Sequence, residues 1–129
     1  MTLVFKNARL IDPEQRTDTI GDLIVQEGLI AEVGQGFNTP SDADVIECDG
    51  KCLAPGIVDI GVKVCEPGER HKESYRSAGL AAAAGGVTTI VTRPDTTPAI
   101  DTPETLEFAT RRAQEAAPVN VLPMAALTK

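Results

Sequence analysis

Ala54-Pro-Gly-Ile-Val-Asp-Ile-Gly-Val-Lys-Val-Cys-Glu-Pro-Gly68 is the stretch on which the reading of this 129-residue chain turns. A Pro-Gly pair opens it and a second Pro-Gly closes it, with β-branched residues between, so it reads as a strand bounded by turns. Strand side chains alternate between faces. That alternation groups Val58, Ile60, Val62 and Val64 on an apolar face and Asp59, Gly61, Lys63 and Cys65 on the other. The second set has the character of a polar cavity wall; an edge strand with one solvated face is the alternative reading of the same pattern.

Outward from this strand, the two halves of the chain follow different rhythms. Residues 1–52 are short strands with turn punctuation: Thr2 to Ile11, ended by Asp12-Pro13; Gly21 to Gln26 and Leu29 to Val33 across Glu27-Gly28; then Val45 to Cys48 and Cys52-Leu53 about Asp49-Gly50. The Gly-, Asn-, Pro- and Ser-rich run from Gly34 to Asp44 is a loop. Residues 53–129 alternate strand and helix. The strand at 53–64 is followed by a helix over Glu73–Ala84, stopped at Gly85-Gly86, and by a strand at Val87–Thr92. Thr102-Pro103-Glu104 starts a second helix that runs to Ala116 with Leu106, Ala109 and Ala113 on one face, and Val119–Leu122 is a third strand. Strand–helix–strand–helix–strand predicts parallel strands joined by crossovers.

Composition narrows the function classes. The formal net charge is −7 and aromatics make up 3% of the residues, which argues against a nucleic-acid surface with its clustered cations and stacking platforms. Arg111-Arg112 reads as a solvated helix face. No apolar run is long enough to span a bilayer and no secretory leader is seen, so a cytoplasmic protein is expected, without a membrane partner. Cys48, Cys52 and Cys65 lack paired metal-ligand spacing and read as reduced, mostly buried thiols; His71, the single histidine, reads as a surface residue at a helix entry.

Asp49-Gly-Lys-Cys-Leu-Ala-Pro-Gly-Ile-Val-Asp59, Glu66-Pro67-Gly68, Lys72-Glu73 and Ala81-Ala-Ala-Ala-Gly-Gly-Val-Thr-Thr89 resemble the opening of a dihydroorotase, within the cyclic-amidohydrolase pattern shared with hydantoinases and allantoinases. The resemblance implies a mixed β and α/β fold: the N-terminal part of a β-sandwich over 1–52, then the first three βα units of a TIM (β/α)8 barrel over 53–129. Eight such units need ~200 residues or more, so it implies a truncated barrel that covers about the first third of a family member. Such an open segment exposes a strand edge and is expected to self-associate.

In that family the strand after Pro-Gly-x-x-Asp carries His-x-His-x-Arg, the histidines for zinc and the arginine for the substrate carboxylate. Here those positions are Gly61, Lys63 and Cys65, while Asp59 is retained. The family's Met-Pro-Asn-Thr is Arg93-Pro94-Asp95-Thr96, so a carboxylate replaces the substrate-binding amide. Gly61 offers no ligand, Lys63 repels a divalent ion, and Cys65 cannot clamp a carboxylate as arginine does. The resemblance therefore implies no catalytic residue, no bound zinc, and a degenerate site in which Lys63 pairs with Asp95. Glu66-Pro67-Gly68 is expected only to shape a loop. The implied role is structural or regulatory, as a partner of aspartate transcarbamoylase in pyrimidine biosynthesis. The alternative is an active zinc amidohydrolase whose ligands lie outside this chain.

Overall fold

In the computed structural model, which describes residues 1–128, the chain forms two compact units, Met1–Pro55 and the residues from Gly56 on. The first unit is one sheet of five strands: β1 (Thr2–Asp12), β2 (Thr17–Gln26), β3 (Leu29–Gly34), β4 (Asp44–Glu47) and β5 (Cys52–Leu53), in the order β3-β2-β1-β4 with β5 also on β1. β2 and β3 are the expected hairpin, Gln26 opposite Leu29. Glu27 and Gly28 both have positive φ, 51° and 81°, as a two-residue turn matched to strand twist requires.

The Asp49-Gly50 turn serves a different purpose. β4 and β5 do not pair with each other; both run parallel to β1, Leu3–Lys6 facing Asp44–Glu47 and Arg9-Leu10 facing Cys52-Leu53. The step between them coincides with a bulge in β1, where Asn7 has φ 52° and its carbonyl accepts from Gly50 N at 2.7 Å. Leu53, expected at the head of the next strand, is thereby held against Leu10. The buried residues here are few: Ala8, Leu10 and Cys48 form a cluster with Phe5, Leu23 and Leu53 around it.

The second unit is a three-stranded parallel sheet, β6 (Ile57–Val62), β7 (Val87–Thr92) and β8 (Asn120–Pro123), in that order, with α1 (Tyr75–Ala84) and α2 (Pro103–Ala116) as the intervening crossovers. Each helix begins where a hydroxyl can satisfy its free amides. Ser74 caps α1 and Thr102 caps α2, each in a reciprocal box with the residue three on, Ser77 and Thr105. The Ser74 cap explains why α1 starts two residues later than the expected Glu73. Ile90 of β7, Tyr75 and Ala78 of α1, Ala109 and Ala113 of α2, Val64 and Ile100 make one core, with Leu106 packed against it. Burying each large member stabilises by about 1.5–3 kcal/mol, and this supplies the sheet–helix adhesion that isolated strands lack.

β6 departs from simple alternation. Ile60 stands opposite Val91 and Val62 opposite Thr92, so Gly61 is an extra residue in the ladder. Adjacent residues on β7 point to opposite faces, and Ile60 and Val62 therefore cannot share one. Val62 and Val64 pack into the core, whereas Ile60 is 72% exposed and Val58 is exposed too. The expected apolar face at 58, 60, 62 and 64 is thus two half-faces. The polar set divides likewise: Asp59 is opposite Ile90, on the face of the core, while Lys63 lies on the other. Gly61 has φ +94°, a backbone region costly for any residue with a Cβ.

Three further expectations need correction. Arg112 is not on a solvated face, because Glu66 draws it inward. The thiols are not mostly buried: Cys48 is, Cys65 is partly so, and Cys52 is exposed. The third strand runs one residue later than expected, at Asn120–Pro123, since Asn120 pairs with Thr89. No helix is long and apolar enough to cross a membrane among the described residues.

Candidate functional site

Parallel strands present their βα loops, and any site built on them, at their C-terminal ends. Lys63 and Cys65 follow β6, and Arg93 and Asp95 follow β7. The ladder reaches one step past the strands, Arg93 N donating to Val62 O at 2.9 Å, and this holds the two loop roots side by side. Thr97 N donates to Pro67 O at 3.4 Å further out, where Glu66–Pro67 and Thr97–Pro98 are both cis.

Lys63 meets Asp95 here. The Lys63 Nζ donates to Asp95 Oδ2 at 2.7 Å and to the Asp95 carbonyl at 3.3 Å. Arg93 Nη2 donates to the same carboxylate oxygen at 3.0 Å. The Lys63 hydrogen bond, aided by the charge of Arg93, holds the Asp95 carboxyl below the usual carboxylate range. Arg93 was missed by sequence reasoning, although the signal was there: a cation stands where the family pattern has methionine, two residues before Asp95. The two residues flank Pro94 at the bend that follows β7, and the guanidinium reaches the carboxylate across it.

The remaining predicted positions are not gathered. Gly61 has open space where a side chain would project, with no atom within 4 Å. Cys65 is partly buried, its amide bonded to Glu73 O at 3.2 Å. Asp59 is on the opposite face from Lys63 and takes no part. His71 is exposed ahead of α1. Nearby, Lys72 and Glu69 pair; the Lys72 hydrogen bond lowers the Glu69 carboxyl, and Glu69 in turn raises the Lys72 ammonium.

Zinc would need three or four neutral or anionic donors converging on one point. Among the described residues no three His, Cys, Asp or Glu side chains are grouped to hold a metal ion. The residues at the family's ligand positions do not fit one: Gly61 has no donor atom, and the Lys63 ammonium is engaged as a cation.

Glu66 does more than shape a loop. Its side chain is 5% exposed; Oε1 accepts from Arg112 Nε at 3.0 Å with Arg70 Nε at 3.8 Å, and Oε2 accepts from Tyr75 N at 3.2 Å. A carboxylate at the first amide of α1 also meets the positive end of the helix. Arg112, whose guanidinium is raised above its ordinary value by Glu66 and then Glu115, carries the connection to α2. One side chain thus fastens the loop after Cys65 to both helices.

Comparison with known proteins agrees with this architecture. Residues 50–129 match the family described as dihydro-orotase-like. The chain is 40% identical over 128 residues to a dihydroorotase of Pelobacter propionicus and 44% identical over 128 residues to one of Bacillus cytotoxicus. These matches cover 99% of this chain but 30% and 29% of the relatives, so the chain spans under a third of their length. In fold it is similar to the L-hydantoinase of Arthrobacter aurescens, with a TM-score of 0.84 at 24% identity over 95% of this chain and 27% of that one. It is likewise similar to the D-hydantoinase of a Thermus species, with a TM-score of 0.82 at 22% identity over 98% of this chain and 28% of that one. With most of its length, residues 50–129, matched to one family, the chain belongs to the dihydro-orotase-like family.

Proposed function

We propose that this chain is a non-catalytic dihydroorotase-like protein of pyrimidine biosynthesis, a structural or regulatory partner of aspartate transcarbamoylase. Its two units correspond, in this reading, to β-sandwich strands and the first three βα units of a TIM barrel. The observation that carries the reading is the Lys63–Asp95 ion pair at 2.7 Å, which engages as a cation the residue at a position where the resemblance implies a zinc-binding histidine. Hydrolysis of a cyclic amide needs a metal to lower the pKa of water and polarise the carbonyl. An ammonium supplies neither a ligand site nor a bound hydroxide. Gly61 compounds the loss, because its backbone at φ +94° disfavours an imidazole-bearing residue.

The exposed residues Ile57, Val58 and Ile60 on the edge strand β6 support self-association as part of this role. The relatives' name, dihydroorotase, favours the competing reading of an active hydrolase, for which zinc ligands would have to lie outside this chain. Metal analysis and a dihydroorotate ring-opening assay on the purified protein separate the two. The proposed role requires no stoichiometric zinc and no turnover, together with co-purification of the transcarbamoylase. Stoichiometric zinc with ring opening would overturn it, as would a transcarbamoylase whose assembly and activity ignore this protein.

A further inference from the structure

The loop roots of β6 and β7 hold more positive than negative charge. Lys63 and Arg93 both converge on Asp95, and both of their side-chain bonds end on a single oxygen, Oδ2. Two cations against one carboxylate leave a local charge of +1. Glu69, which also feels the charge of Lys63, is already committed to Lys72. Donors also outnumber acceptors. An ammonium has three N–H groups and a guanidinium five, whereas Lys63 spends two on Asp95 and Arg93 one. Their side chains are 50% and 52% exposed, so solvent reaches the unused donors, and a pair this exposed is held loosely.

We propose that Lys63 and Arg93 form a binding site for a small oxyanion, a carboxylate or a phosphate, with Asp95 as the internal counter-ion that orients both cations when no ligand is bound. The site selects by charge and by the fork of the guanidinium, which matches two oxygens of one anion. A place that elsewhere in the family takes a divalent cation therefore takes an anion in this chain. The inference rests on the non-metal reading of the site given above.

Its test is a pair of NMR titrations of the isotopically labelled protein, one with inorganic phosphate and one with malonate, following the Arg93 Nε–H signal. The expected result is a saturable shift that weakens as ionic strength rises. Phosphate binding alone, or malonate binding alone, identifies which source of oxyanion the site prefers. Lys63→Gln and Arg93→Gln should each weaken the interaction about tenfold, since each removes a charge-assisted donor. Asp95→Asn should tighten it severalfold, because it removes the competing carboxylate. An unchanged spectrum of the core amides in each variant shows that the fold is intact. Absence of saturation, equal binding by Lys63→Gln, or weaker binding by Asp95→Asn would overturn the proposal. A zinc titration of the same sample keeps the two readings apart. Stoichiometric zinc defeats the non-metal reading, whereas no zinc and no anion response defeats only this inference.

Discussion

Glu66 and Asp95 are both carboxylates at the mouth of the parallel sheet, and each meets two cations. Glu66 is sealed, 5% exposed, with both oxygens in use: one toward Arg112 and Arg70, the other toward the first amide of α1. Asp95 is 41% exposed and directs a single side-chain oxygen to Lys63 and Arg93. Burial makes the first pair a fastening, because taking away Arg112 leaves the Glu66 carboxylate out of water without its main counter-charge. Exposure leaves the second pair exchangeable, since water or a ligand can replace either member at little cost. Within one sheet, the same chemistry is structural at one carboxylate and available at the other.

The contrast can be broken most forcefully at Glu66. Glu66→Ala should destabilise the protein by about 2–3 kcal/mol, read as a lowered urea midpoint, because the Tyr75 amide loses its acceptor and Arg112 keeps only Glu115. Glu66→Gln, which keeps an acceptor, should lose less. A Glu66→Ala midpoint equal to that of the parent would show that burial does not separate the two carboxylates. Next in size is the backbone of β6. Gly61→Ala should cost about 1–2 kcal/mol from φ strain alone, there being no clash, and a midpoint unchanged by that substitution would deny the strain.

At Asp95 the expected effect on stability is near zero. Asp95→Asn at neutral pH should leave the urea midpoint where it was, and a loss approaching that of Glu66→Ala would erase the distinction. The smallest effect is in titration. The Asp95 carboxyl is lowered by Lys63 and Arg93, so its pairing is complete above the ordinary carboxylate value of about 4 and is lost only as pH falls through the lower native value. Carbon-detected NMR should show the Asp95 midpoint rising toward the ordinary value in Lys63→Met. An identical midpoint in both proteins would mean that the pair does not form in solution.

Local signals in the sequence were enough for most elements. Thr102-Pro103-Glu104 announces α2, Glu27-Gly28 announces the β2–β3 hairpin, and the charges at 63 and 95 pointed to their own pairing. What escaped depends on partners that are distant in the chain. Glu66 and Arg112 are separated by 46 residues, and no local pattern tells an inward arginine from a solvated one. The division of β6 into two half-faces arises from its register against β7, which alternation along one strand cannot reveal. The same holds for β4 and β5: Asp49-Gly50 has the residues of a hairpin turn, yet the bulge at Asn7 makes it a step between two parallel pairings on β1. Arg93 differs from these, being legible by its position two residues before Asp95.

The extra residue at Gly61 changes how β6 must be counted by anyone wishing to rebuild a metal centre there. Numbered along the strand, positions 59, 61, 63 and 65 look like four pegs on one rail. Numbered against β7, the rail is spliced: 59 belongs to one side, 63 to the other, and 61 is the joint itself. Restoring histidines at 61 and 63 would thus place one ligand on the splice. Donors at 63, 93 and 95, whose side chains already meet, start from a shared face and would be the sounder graft.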